Sequence, residues 1–245
     1  MFYLTLPSNS SADVYPDNTL NNFTVKLPRN IDLDGQWEVG LVEIQYPHSW
    51  YNVQEHEAWL LINTSPVDAP HRTYLKAGMY DNPKKLVQLI NIMNEDVPNH
   101  RKVLFLYDDI TKKVTLDIEY GANVELSPML SHMLGLQHMV YKEGVHEGSH
   151  VIDVDQGFYS LYVYCSLVAP RLVGHTQVPL LRIVAIKGKD GMTITKTYEN
   201  VHYLPVQQKN FDTVEIDIRD DTGRRVPFER GKVVVTLHFR RKPLL

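Results

Sequence analysis

His146, Glu147, Gly148, Ser149 and His150 spell H-E-x-x-H, the spacing in this chain best suited to a catalytic metal. On an α-helix that pattern sets two imidazoles one turn apart on a shared face, with the glutamate poised over a metal-bound water. Gly144, Gly148 and the following Val151-Ile152 predict extended chain instead. In an extended chain the two rings stand more than about 10 Å apart. The expectation is an exposed loop with two titratable histidines and no metal. His48, His56, His71, His100, His132, His138, His175, His202 and His238 are scattered and form no second ligand pattern. No H-x-D or H-x-E pair is available for a facial triad. His238 alternates outward from the last predicted strand, which suits surface or subunit contact.

Other chemistries fare no better. No G-x-S-x-G elbow occurs, and the single cysteine, Cys165, sits in the apolar run Tyr159–Leu167 as a small buried hydrophobe. The turn Ile186–Met192 (IKGKDGM) lacks phosphate-loop spacing and is expected to be a hairpin tip. Asp217, Asp220 and Asp221 could face a calcium ion, but Arg219, Arg224 and Arg225 beside them oppose a cation. Internal salt bridging or subunit contact is the better use of that cluster. We therefore expect no enzyme, no cofactor and no catalytic or metal residue. Trp50, Tyr51 and Trp59 could form a sugar-stacking platform, which keeps a carbohydrate- or receptor-binding module open.

The elements that must position these residues are mostly strands. Val214, Ile216 and Ile218 alternate with polar neighbours, as do Val233, Val235, Leu237 and Phe239. The connector Asp220–Gly231 is too long for a tight hairpin but long enough to cross between two sheets. Upstream, Phe2–Leu6, Phe23–Leu27 (stopped by Pro28) and Trp37–Tyr46 are predicted strands. Downstream, Val151–Val154, Phe158–Leu167, Leu180–Ile186 and Thr193–Tyr198 are further candidates. Residues 73–136 read differently, as strand, helix, hairpin and helix. Asn82 and Pro83 open a helix whose stripe is Leu86, Leu89, Ile90, Met93 and Val97. Ser127-Pro128 opens a second, closed by Gly135. This insert either covers a sheet or joins subunits. The fold class is an all-β sandwich, a single domain over 1–245 with an insert at about 73–136. Periodicity alone leaves jelly roll and immunoglobulin-like sandwiches both open.

A net charge of −4 excludes histone-like coating of nucleic acid, and no specific nucleic-acid binding is expected. No segment approaches the roughly 20 apolar residues of a membrane helix. With one cysteine and no leader-like start, the chain is expected to be made inside the cell without a signal peptide. The sequons at Asn9, Asn22 and Asn63 are then chance matches. The basic end Arg240, Arg241 and Lys242 is expected to be solvated.

The run IDIRDDTG (216–223), followed by VPFERGKVVVTLHFRR (226–241), resembles the C-terminus of the minor capsid (penton) proteins of Maverick/Polinton elements and adintoviruses. LPSNSS, YPDNTLNNFTVKLP and the run Leu33–Trp50 (LDGQWEVGLVEIQYPHSW) are similar to the N-terminal part of that family, so the resemblance spans the chain. It implies a jelly roll that assembles as a homopentamer at the five-fold vertices of an icosahedral virion. The partner it implies is a double-jelly-roll major capsid protein. Alternatives are a jelly-roll binding module or a trimeric single-jelly-roll shell subunit. Asp220, Asp221, Arg224, Arg225 and Arg230, with the insert, are the expected subunit contacts.

Overall fold

A computed structural model describes residues 1–65, 69–95, 97, 99 and 102–243. The chain forms two compact units: Met1–Trp50 with Phe158–Leu245, and Tyr51–Gly157 inserted between them. Three strands come first: β1 (Phe2–Pro7), β2 (Asn22–Asp32) and β3 (Trp37–Pro47). The inserted unit holds β4 (Trp59–Asn63), β5 (His71–Tyr74), α1 (Pro83–Met93), β6 (Val103–Tyr107), β7 (Val114–Leu126), α2 (Pro128–Met133) and β8 (Val140–Glu147). Next come β9 (Ser160–Cys165), β10 (Arg171–Val173), β11 (Thr176–Val178) and β12 (Leu180–Ala185). The last four strands are β13 (Thr193–Thr197), β14 (Leu204–Pro205), β15 (Asn210–Arg219) and β16 (Val234–Arg241).

In the first unit the long strands make two antiparallel sheets, β1-β16-β3-β13 and β12-β9-β15-β2. Successive strands alternate or pair across the sandwich so that first and last, β1 and β16, are neighbours, as are β2 and β15. That is the jelly-roll arrangement of interlocked Greek keys. The connector after β15 does cross between sheets, and β16 lies inside its sheet between β1 and β3. Val214, Ile216, Ile218, Val233, Val235, Leu237 and Phe239 are fully buried, as their alternation predicts. They meet Leu161, Val163 and Cys165 of β9 in one core.

Register shifts set the phase of this core, one in β12 between Leu180 and Arg182 and two more in β3 and β2. In β3, Thr236 pairs with Glu43 but Leu237 pairs with Leu41, so Val42 is an extra residue. The slip lets both Leu41 and Ile44 point inward, where strict alternation would turn one of them out. In β2 the pairing jumps from Lys26–Thr213 to Ile31–Phe211, and the intervening residues 27–30 loop out. Pro28 therefore does not stop the strand as predicted. It sits in the bulge of an edge strand, where its missing N–H breaks no ladder bond. The turn Ile186–Met192 also differs from expectation. It is no hairpin tip, because β12 and β13 belong to different sheets.

The inserted unit has its own sheet, β5-β4-β7-β6, with β8 on the other side of β7, and its own core. The predicted helices are present. Asn82 caps α1 by accepting from Lys85 N at 3.1 Å, and Leu86, Val87 and Ile90 are buried. Asn91 on α1 then satisfies both backbone groups of Phe105 on β6, donating to its O at 2.8 Å and accepting from its N at 3.0 Å. Ser127 caps α2 through Leu130 N, and Gly135 follows at φ +71°. The unit is wider than 73–136 because β7 recruits β4 on one edge and β8 on the other. Val151–Val154 is not a strand. The strand nearby is β8, while Ile152 N is held by Lys112 O at 2.9 Å. Among the described residues no helix is long and apolar enough to cross a membrane.

Candidate functional site

The outer face of β9 and β15 gathers the polar cluster that the sequence singles out. With Leu161, Val163 and Cys165 turned into the core, period two turns Tyr162 and Tyr164 outward. Val214, Ile216 and Ile218 likewise leave Glu215, Asp217 and Arg219 outside. Register places Asp217 across from Tyr164 and Arg219 across from Tyr162. The Arg219 fork grips Asp217 Oδ2 from Nε at 2.8 Å and Nη2 at 2.7 Å, while Nη1 donates to Gly223 O at 3.1 Å. The bond to Asp217 raises the Arg219 pKa above its ordinary value. Arg225 Nε stands 3.6 Å from Asp217 Oδ1.

Asp220 builds the adjoining turn. Its Oδ1 accepts from Thr222 N at 2.9 Å, Thr222 Oγ1 at 2.7 Å and Arg224 N at 2.9 Å, an Asx-type closure. Arg224 Nε lies 3.3 Å from Asp220 Oδ2, yet its side chain is 80% exposed. The structure thus brings Asp220, Asp221, Arg224 and Arg225 to one corner beside Asp217 and Arg219. Arg230 is not with them. Its N and O are both bonded to the Ser49 hydroxyl, at 3.3 and 2.8 Å. The hairpin β10-β11 and the turn at Asp221–Gly223 wall a groove of about 810 Å³ over Tyr162 and Tyr164. Neither tyrosine is singled out by the sequence reading, which takes Tyr159–Leu167 as one apolar run. The alternation Leu-Tyr-Val-Tyr-Cys is the signal that marks them.

The remaining candidates resolve one by one. His146 and Glu147 lie in β8, an extended strand. His146 Nε2 is 2.7 Å from Lys142 O, and His150 Nδ1 is 3.0 Å from Ser149 Oγ. No group of three or more His, Cys, Asp or Glu side chains is placed to hold a metal among the described residues. His100 lies outside those residues. Cys165 is buried, and burial pushes its thiol up to about 12, far from a nucleophile's range. Trp50 cannot serve as a platform. It is buried, with Phe158 and Phe228 packed edge-on at 5.2 and 5.8 Å. Trp59 is covered by Arg72 at 4.6 Å.

His238 is not the surface residue its alternation suggests. It does leave the core face, but Tyr3 covers its ring at 4.6 Å and Tyr203 Oη meets Nδ1 at 2.7 Å. Nε2 is buried and has no hydrogen-bond partner among the described residues. Burial lowers its pKa, and the N-terminal amine and Arg240 add to the effect. Arg240, expected in solvent, stacks on Tyr203 at 3.5 Å and pairs with Glu38 at 3.0 Å.

No protein-family model and no curated protein matches the sequence. Among solved structures the chain is similar to the mavirus penton protein, seen in its selenomethionine form. The match has a TM-score of 0.52 at 12% identity and covers 97% of this chain and 98% of that one. The chain has a penton-like fold. The jelly roll expected from the resemblance is thus found with the inserted unit included in the match, since coverage of 97% leaves no room to omit residues 51–157.

Proposed function

We propose that this chain is a penton-type minor capsid protein of a Maverick/Polinton-related, adintovirus-like element. It forms homopentamers at the five-fold vertices of an icosahedral virion and contacts a double-jelly-roll major capsid protein. The observation that carries this is the end-to-end likeness in fold to the mavirus penton protein, sandwich and insertion together. The chemistry agrees: the corner at Asp220–Arg225 is a set of ion pairs with no nucleophile or acid–base couple. Five-fold closure needs a heterologous interface, in which one patch of a subunit meets a different patch of the next. Arg224 and Arg225 suit such a contact. Their carboxylate partners are only 16% or less exposed, while the guanidiniums are 80% and 52% exposed and can reach an acceptor on a neighbour.

Native mass across a concentration series, alone and with the major capsid protein co-expressed, tests the proposal. A species of five 28.3-kDa chains is expected. A stable trimer would point to a single-jelly-roll shell subunit, and monomers under both conditions would refute the vertex role. Arg224→Glu is expected to weaken assembly while leaving the β circular-dichroism signal unchanged. Undiminished assembly would remove the Asp220–Arg225 corner from the interface.

A further inference from the structure

The groove over β9 and β15 has the chemistry of a saccharide site, and it belongs to one chain irrespective of how many chains assemble. We propose that it binds a neutral oligosaccharide. Its volume of about 810 Å³ suits a ligand of about two or three sugar rings, and is several times what a single amino-acid side chain would fill.

Three observations converge on that class of ligand. Tyr162 and Tyr164 stand at i and i+2 on the groove floor, and neither hydroxyl is hydrogen-bonded to another described residue. They offer flat apolar rings for C–H faces together with unused donors, the combination a sugar ring matches. Across the strand, Glu215 accepts from Asn22 Nδ2 through Oε1 at 3.1 Å, and Oε2 has no hydrogen-bond partner among the described residues. Such a carboxylate oxygen accepts well from a sugar hydroxyl. Arg219 is immobilised by Asp217 and Gly223 O, so a donor fork borders the same floor without loss of side-chain freedom on binding.

Charge narrows the class further. Glu215, Asp217 and Asp221 outnumber the basic lining residues Arg219 and His175, an acidic excess that disfavours phosphate, sulfate or sialic-acid groups. Asp217 is already engaged by Arg219 and Arg225, so a cationic ligand would have to displace an existing pair to use it. Arg224 and Arg225, which carry the assembly contact proposed above, do not line the groove.

Saturation-transfer NMR with maltotriose, lactose, mannotriose and N,N′,N″-triacetylchitotriose tests the proposal, with the tripeptide Lys-Arg-Lys as competitor at about 0.15 M salt. At least one saccharide is expected to bind saturably. Binding should weaken at least about tenfold in Glu215→Gln and in Tyr162→Ala, and less in Tyr164→Phe, which removes only a hydroxyl. Tyr120→Ala, an exposed tyrosine of the inserted unit, should leave it unchanged. Thermal melts confirm that each variant is folded. Silence from all four sugars, binding that survives Glu215→Gln and Tyr162→Ala, or the tripeptide alone binding in a Glu215-dependent way, would each overturn the proposal. Native mass is read separately, so failure of sugar binding and failure of pentamer formation remain distinct results.

Discussion

His238 shows how one side chain can couple stability to pH. Its ring is sealed between Tyr3 and Tyr203, with Nε2 buried and the N-terminal amine and Arg240 nearby. Arg240 is itself paired with Glu38 at 3.0 Å. Because the folded pKa lies below the ordinary 6.5, the unfolded chain binds the extra proton first as pH falls. Stability should therefore drop as pH falls below 6.5 and continue to drop until the folded pKa is passed. Denaturant melts at pH 7.5 and pH 5 are expected to show a smaller difference in His238→Gln than in the parent chain. An unchanged difference would mean that the acid sensitivity lies elsewhere. Cys165 makes a companion case. With the thiol buried and its pKa near 12, thiol reagents should label it at about pH 8 only after unfolding.

At the scale of elements, the turn after α2 is constrained by backbone on both counts, conformation and space. Gly135 takes φ +71°, and a Cβ there would stand 2.3 Å from His150 O, which is backbone and cannot swing aside. Gly135→Ala combines left-handed strain with that clash and is expected to cost more than about 2 kcal/mol, read from the melt of the inserted unit. In the sandwich, Leu237 of β16 is central and fully buried, flanked by β1 and β3. Leu237→Ala should cost about 3 kcal/mol and lower the denaturant midpoint without changing the slope. The floor of the saccharide groove is set by β9 and β15, whose outward rows stay in register because their inward rows are locked in the core.

The whole molecule is a jelly roll interrupted between β3 and β9, and its two units have separate cores. Among the described residues, the core of the sandwich is built from that unit's own side chains. The chain leaves and re-enters it at Trp50 and Phe158, whose rings lie 5.2 Å apart. Replacing 51–157 by a short Gly-Ser linker is therefore expected to give a protein with a cooperative melt and a β-type circular-dichroism spectrum. A molten, non-cooperative product would show that the sandwich needs its insertion. If the isolated sandwich also closes into pentamers, the subunit contacts lie wholly on the jelly roll; if only the full chain does, the insertion supplies part of the ring.

Local rules made much of this legible from sequence. Alternation in 214–218 and 233–239 placed two strands and their inward faces. Asn82-Pro83 and Ser127-Pro128 mark both helix starts, and the glycines around H-E-x-x-H predict the extended chain that β8 has at His146-Glu147. Each depends on neighbours within a few residues, where backbone geometry dictates the outcome. What the tertiary structure decided involves partners far along the chain. Val42 shifts the phase of β3 only because β16 pairs with it, and Pro28 survives in β2 because that strand is an edge. His238 is buried only because Tyr3 and Tyr203, 235 and 35 residues away, converge on it. The jelly-roll order itself, and the meeting of Tyr162 and Tyr164 with Asp217 and Arg219, follow from long-range strand pairing. Period two says which face a side chain takes but not which strand will lie beside it.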